Sequence, residues 1–413
     1  MSKPPGFHAS TTSEQNHDQS TSSMANVFSP NVLPSPRLRS SHSSRERRRR
    51  RSRSLYPRYK YSISVPVYVS KWQLYHAERL QIYYARCYNE SPKDLFHLFG
   101  RAIDPFTREQ EYYIEGIKSF LKCVGLKQRS IRMYMYREHD YFEIMKPALD
   151  QVIKDTAIKK KPNDYNDIDV LINVAVNEFI GDLYRLLQKL AEDKNTAAMY
   201  LPVCQSFARM CNLRVENCDE SREWTNLTDK RSVTSTPDFL FFQKGKELII
   251  EDSNKHAQVL VSVVEIKKSS FEPPEKKRKL SGEVDISNRP EIMKDLHQAV
   301  LGQHAGELLL EVYYDSVHAK NMVRRVENSV AHYMVPGMIV DGTVVYFTML
   351  QISLPHLVFL ETPSNIDSIM EKATIFYAKP LDLLVKEERD ILIDCFMMLN
   401  NIDLTPSVVE MNK

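Results

Sequence analysis

From about residue 62 the chain switches between helical and strand-like hydrophobic spacing, and each switch predicts an element. Residues 62–155 read as a helical region. The stretch 155–165, with Lys159-Lys160-Lys161-Pro162, reads as a linker. A helix is predicted from about Asp167 to Leu190, with Val176, Phe179, Leu183 and Leu187 on one stripe, and another near Tyr200 to Met210. Strand patterning then takes over. Phe239-Leu240-Phe241-Phe242 predicts one strand, and Lys246 to Ile250, after a Lys244-Gly245 turn, predicts another. Val259 to Val264 is apolar at almost every position, which suits a strand covered on both faces. Pro290 to about Tyr314 returns to helical spacing, with Asn288 placed to cap it and Pro290 suited to an early helical position. Met338 to Phe347 predicts a hairpin turning at Asp341-Gly342. A strand at Leu357 to Leu360 and a closing helix from about Leu381 to Met398 complete the pattern.

Two strands carry residues that an ordinary buried strand excludes. Asp238 follows Pro237 at the start of one, and Glu265 and Lys267 end the other. Strand side chains alternate, so Glu265 and Lys267 share a face and Ile266 points into the core. A charge there must be solvated, paired or bound to a metal, because burying it alone is costly. Taken singly, Pro237-Asp238 also fits a turn and Glu265/Lys267 a solvated pair. The helix after 290 adds a polar group to its apolar stripe of Ile292, Leu296, Ala299, Val300 and Leu310. At ~100° per residue Gln303 falls within that stripe, Glu307 follows one turn later, and Gln298 projects to the opposite side. His297 and His304, seven residues apart, are expected on the surface or facing a partner. Glu178 lies at the edge of its own helix stripe, where solvation is expected.

Pro237-Asp238 together with Glu265-Ile266-Lys267 resembles the signature of the PD-(D/E)XK nuclease superfamily, over roughly residues 165–355. The resemblance implies an α/β fold: a restriction-endonuclease-like mixed sheet flanked by helices, here with a helical N-terminal region and a disordered basic tail. It implies Mg²⁺ (or Mn²⁺) held by Asp238, Glu265 and the main-chain carbonyl of Ile266, with Lys267 as the catalytic amine and Gln303 as the positioning glutamine. Hard oxygen ligands suit such a cation, which activates water and offsets charge on a phosphoryl group. Members of the superfamily often carry a glutamate on the helix before the strands. Glu178 is the nearest candidate, and the helix at Tyr200 to Met210 has none. The residues leave open whether Asp238 lies one strand too early to meet Glu265 or converges with it at one end of the sheet.

Composition sets the surroundings. The chain has 413 residues, 42% of them hydrophobic, enough for more than one domain. It lacks a long uncharged apolar run, so no transmembrane helix and no membrane partner are expected. Its six cysteines, with Cys204, Cys211 and Cys218 at sevenfold spacing, lack zinc-type pairs and are expected as reduced thiols. The net charge of +3 hides an asymmetry: residues 1–60 hold 12 basic against 3 acidic residues, the remainder 44 against 50. Residues 1–61 are Ser/Arg-rich and predict a disordered tail. Its Arg47, Arg48, Arg49, Arg50 and Arg51 are candidates for nucleic-acid contact. Arg129 to Arg137 interleaves tyrosine and arginine and reads as an amphipathic element. A polar insertion at 269–289 carries Lys276, Lys277, Arg278 and Lys279 after Pro274, which resembles a compact nuclear-import signal. The expected organisation is therefore tail 1–61, helical region 62–155, nuclease-like domain 165–355 and closing elements 356–413. The expected function is a nuclear, metal-dependent nuclease acting on nucleic acid, DNA ahead of RNA, with a nuclear-import receptor as a partner. The alternative is a catalytically degenerate module of the same fold that binds nucleic acid or protein in the nucleus.

Overall fold

The computed structural model describes residues 65–402, apart from 87, 90, 99–102, 127–139, 159–167, 193, 195, 218–220, 228–230, 245–258, 268–288, 319–322, 328–329 and 362–371. The basic tail, the Arg129–Arg137 segment, the Lys246–Ile250 strand, the Asn288 cap and the basic insertion with Lys276, Lys277, Arg278 and Lys279 lie outside the described residues.

The fold is mixed α/β, a mixed sheet with helices on both faces. Helices α1 (Leu74–Arg79), α2 (Pro92–His97), α3 (Arg108–Leu121) and α4 (Asp140–Ile158) make up most of the described residues of the N-terminal region. Thr107 and Gln110 form a capping box at the start of α3, satisfying two backbone donors. Strand β1 (Ile82–Tyr84) was not legible in the sequence and joins the main sheet. The expected linker begins late, since Asp155 to Ile158 still belong to α4. Next come α5 (Ile168–Ala191), α6 (Ala197–Met210), β2 (Leu213–Asn217), the hairpin β3 (Arg222–Leu227) and β4 (Arg231–Ser235), β5 (Phe239–Gln243) and β6 (Val259–Lys267).

The helix expected over 290–314 is two helices, α7 (Ile292–Asp295) and α8 (Gln298–His318). Leu296 between them is extended (φ −105°, ψ 145°) and buried. His297 Nδ1 accepts the Ala299 N–H at 3.2 Å, satisfying a donor that the restarted helix would leave bare. Then follow β7 (Val323–Glu327), β8 (Val330–Asp341), β9 (Val344–Ser353), α9 (Leu354–Glu361), β10 (Ala373–Tyr377), β11 (Leu381–Asp382) and α10 (Lys386–Leu399). The hairpin at Asp341-Gly342 is present, with Gly342 at φ 64°. The strand expected at Leu357–Leu360 is instead part of helix α9. Pro355 fits its first turn, and His356, Leu357 and Leu360 face inward at helical spacing. The closing helix starts later than expected, at Lys386, after the short strand β11.

Among the described residues one sheet runs β1-β10-β9-β8-β6-β5-β2, with β11 against β9 and β7 against β8. β6 and β8 are parallel, and the connection between them carries α7 and α8, as a parallel pair requires. β2, β5 and β6 are antiparallel neighbours. Along β8, Met334, Met338 and Val340 enter one core while Val335 and Ile339 enter the other. The first core lies against α5, α6 and α10, where Phe179, Phe207 and Phe396 meet edge to face at 5.3 and 5.1 Å. Beside it the buried Arg389 donates to the carbonyls of Leu121, Leu383 and Val124, tying α10 to α3. Among the described residues, no helix is long and apolar enough to cross a membrane.

The second core surrounds α8, which is covered on nearly every side. Three glycines permit that approach. A Cβ on Gly302 would stand 2.2 Å from the Gln73 carbonyl carbon, one on Gly306 2.7 Å from Val69, and one on Gly337 of β8 2.8 Å from Leu308 and from Thr348. Replacing a helical glycine by alanine ordinarily gains ~0.5–1 kcal/mol. Gly181 of α5 has room for that methyl group, its nearest neighbour being Arg185 at 3.7 Å. Gly302→Ala should instead lower stability by about 1–3 kcal/mol in urea denaturation, because it overpacks against backbone. Gly181→Ala should leave stability equal or higher, and equal behaviour of the two variants would contradict this packing.

Candidate active site at the β5–β6 junction

The site begins with a strand pairing. β5 lies directly beside β6, with Phe239 opposite Val264, so Asp238 enters at the level of Glu265. The question of an intervening strand is thereby settled. Phe239 and Phe241 on β5 and Ile266 on β6 pack into the α5/α6/α10 core. Asp238 Oδ2 accepts the Ile266 main-chain N–H at 2.7 Å, the length of a charge-assisted bond. Glu265 occupies the position between Val264 and Ile266, and its side chain lies outside the described residues. β6 has an extra residue at two points against β5, the kind of irregularity that re-aims side chains near functional sites.

Lys267 is half-buried at the end of β6. Its Nζ donates to Gln303 Oε1 at 3.1 Å. Gln303 Nε2 donates in turn to Glu307 Oε1 at 3.0 Å, and Ser235 Oγ donates to the same oxygen at 3.2 Å. Gln303, rather than the exposed Gln298 that opens α8, is thus the glutamine that meets the lysine. Glu307 is buried, although the sequence marked it only as following Gln303 by one turn. Its signal was the i, i+4 spacing on a helix that is otherwise apolar on that side. Asp341 of β8 stands in register with Lys267, which brings a further carboxylate to the same end of the sheet.

The electrostatics follow from this crowding. Loss of water pushes the Asp238 carboxyl above its ordinary range, while the Ile266 N–H and the Lys267 charge pull it back. The residue keeps an exposed rim, so the carboxylate stays reachable from solvent. His304 corrects an expectation. It is fully buried rather than surface or partner-facing, and its Nε2 lies 2.7 Å from Thr348 Oγ1. The close approach of α8 to β8 at Gly337 encloses it. Burial first, and the Lys267 charge second, lower its pKa to about 3. His297 is exposed, as expected. The Tyr84 phenol, which donates to the Leu301 carbonyl at 3.0 Å, is held protonated by burial and by the Glu307 charge.

Glu178 stays outside this group. It receives Arg209 Nη1 at 3.0 Å in a surface ion pair between α5 and α6. Cys204, Cys211 and Cys395 are buried free thiols, those of Cys204 and Cys395 pushed up to about 12 by burial, and Cys123 is free and exposed. Asp238 and the Ile266 main chain, with Glu265 the preceding residue on β6, carry oxygen donors of the type that suits Mg²⁺ or Mn²⁺. Among the described residues no group of three or more His, Cys, Asp or Glu side chains is placed to hold a metal. In comparisons with known proteins, no family model and no curated protein matches the chain.

The buried neutral His304 gives a pH prediction. Its folded pKa of about 3 lies below the ordinary 6.5, so the unfolded chain binds a proton first. Stability should fall as pH drops from about 6.5 toward 3. In denaturant titrations at several pH values, wild type should lose up to about 1.4 kcal/mol per pH unit more than His304→Gln over that window. Parallel curves would show that His304 takes up its proton in the folded chain.

Proposed function

We propose that the chain is a metal-dependent nuclease of the PD-(D/E)XK type, hydrolysing phosphodiester bonds of nucleic acid in the nucleus, DNA ahead of RNA. One observation carries this reading: Asp238 is bonded across the β5–β6 pair to the amide between Glu265 and Lys267. The succession α6, β2, β5, β6, α8, β8 supports it, with three antiparallel strands followed by a helix and a strand parallel to β6. This fits the mixed sheet flanked by helices that the resemblance implies. A ligand at the end of a parallel strand pair, beside the helix that connects them, is also the usual placement in open α/β sheets.

In this reading Asp238, Glu265 and the Ile266 carbonyl hold Mg²⁺ or Mn²⁺. The bound ion supplies Lewis-acid stabilisation of the phosphoryl oxygens and a water of lowered pKa. The chain's own part is positioning. The Ile266 N–H fixes one oxygen of Asp238 and leaves the exposed side of the carboxylate available. Gln303 accepts from the Lys267 ammonium, which holds the amine at the sheet end, where its charge would offset that on a phosphoryl oxygen. The arginine run Arg47 to Arg51 adds sequence-independent attraction to phosphate. Lys276, Lys277, Arg278 and Lys279 present a signal to an import receptor.

The absence of an acidic residue on α6, with Glu178 paired to Arg209, favours a second reading: a module that binds nucleic acid without cutting it. Incubation with single- and double-stranded DNA and RNA, with Mg²⁺ or Mn²⁺, separates the two. Wild type should cut at least one substrate. Lys267→Ala should lose about 10²-fold or more of that rate while its thermal unfolding stays close to wild type. A wild-type protein that cuts nothing yet retains DNA would transfer the case to the binding module. Residues 269–289 fused to a neutral reporter should carry it into nuclei. A reporter spread evenly through the cell would remove this support for nuclear localisation.

A further inference from the structure

We infer that Glu307 is a positioning residue that joins the two halves of the site, holding Lys267 through Gln303 and the Asp238 turn through Ser235. The inference rests on reading Asp238 and Lys267 as one site.

The bonds close a ring. From Lys267 they run to Gln303, to Glu307 and to Ser235. Thr236 and Pro237 then lead to Asp238, whose carboxylate returns to the Ile266 N–H next to Lys267. Pro237 fixes one backbone torsion of the short link between Ser235 and Asp238. The Gln303 amide has one orientation that serves both neighbours, oxygen to the ammonium and N–H to the carboxylate. A residue 307 without an acceptor oxygen would leave that orientation unset.

The hairpin end is anchored on α8 at two successive turns. Arg222 and Ser235 are opposite each other across β3 and β4. Ser235 bonds Glu307, while Arg222 Nε donates to Glu311 Oε2 at 2.9 Å in a pair that is almost fully buried. Further along, Trp224 stacks on Tyr313 with centroids 4.2 Å apart and planes 5° apart. Arg222, Trp224 and Tyr313 thus hold the hairpin on the helix without Glu307. The additional buried carboxylate, costly unless well bonded, sits at the one place where the hairpin base and Gln303 converge.

Amide hydrogen exchange on the full chain tests this without recourse to cleavage. In Glu307→Leu the Ile266 N–H should exchange about tenfold faster, and the Gln303 side-chain amide signals should shift, while amides of β8 and β9 keep their wild-type rates. Glu307→Gln keeps an acceptor oxygen and should restore most of the Ile266 protection. If Glu307→Leu fails to fold, Ser235→Ala decides: it removes one bond at a half-buried position and should speed Ile266 exchange in the same local way. Unchanged Ile266 exchange in a folded Glu307→Leu, or in Ser235→Ala where that variant decides, overturns the inference. Where wild type cuts a substrate, Glu307→Leu should lower kcat more than it raises KM. A wild type that cuts nothing while Ile266 still responds to Glu307 would defeat the nuclease reading and leave the positioning role standing.

Discussion

The pairing of β5 with β6, closed by the bond from the Ile266 amide to Asp238, is the constraint on which the candidate site depends. Two effects fix it, and their sizes differ. Phe239, Phe241 and Ile266 are each almost fully buried on the α5/α6/α10 side. Burying side chains of this size contributes about 1.5–3 kcal/mol each. A hydrogen bond to a charged acceptor adds about 1.5–3 kcal/mol at most. The apolar face therefore sets the register, and the hydrogen bond refines it. A slip of one residue would turn Lys267 into the core and Ile266 out of it, so the fold cannot form without delivering the amine to the α8 side.

Helix α8 carries the second constraint. It runs between the sheet and the N-terminal elements, and Gly302, Gly306 and Gly337 let both neighbours approach it closely. A helix so enclosed would be expected to be apolar throughout. Instead Gln303, His304, Glu307 and Glu311 follow one another along its length, and each is bonded: to Lys267, Thr348, Ser235 and Arg222 respectively. Each bond ties the helix to a different element and makes its packing specific, while His304 Nδ1 has no hydrogen-bond partner among the described residues. The stability of the helix and the arrangement of the candidate site are in this sense one problem with one solution.

Much of this was legible in the sequence. The Val259–Val264 run, the Asp-Gly hairpin and the Phe179/Leu183 stripe each have one dominant period, and each gave the right element. The periodicity that placed Gln303 on the inner side of its helix also held. Other elements were hidden for identifiable reasons. Leu357–Leu360 is too short a run to separate strand from buried helix, and Pro355 at a helix start gave the better clue. The break at Leu296 preserves an apolar residue where an unbroken helix would also want one. β1 has three residues and takes its pairing from β10, almost 300 residues away. His304 was misplaced because its burial comes from Gly337, on another element, rather than from its own helix. Glu307 was visible as a residue, but its partner Ser235 lies on a hairpin that local patterning did not reveal.

The central claim is that Asp238 and Glu265 converge on one divalent cation beside Lys267. Anomalous scattering from crystals soaked in Mn²⁺ tests it most directly. The account predicts a peak bonded to carboxylate oxygens of both residues at roughly 2.0–2.3 Å, hard-cation distances. A Glu265 carboxylate turned away from Asp238, with no peak between them at saturating Mn²⁺, would contradict it.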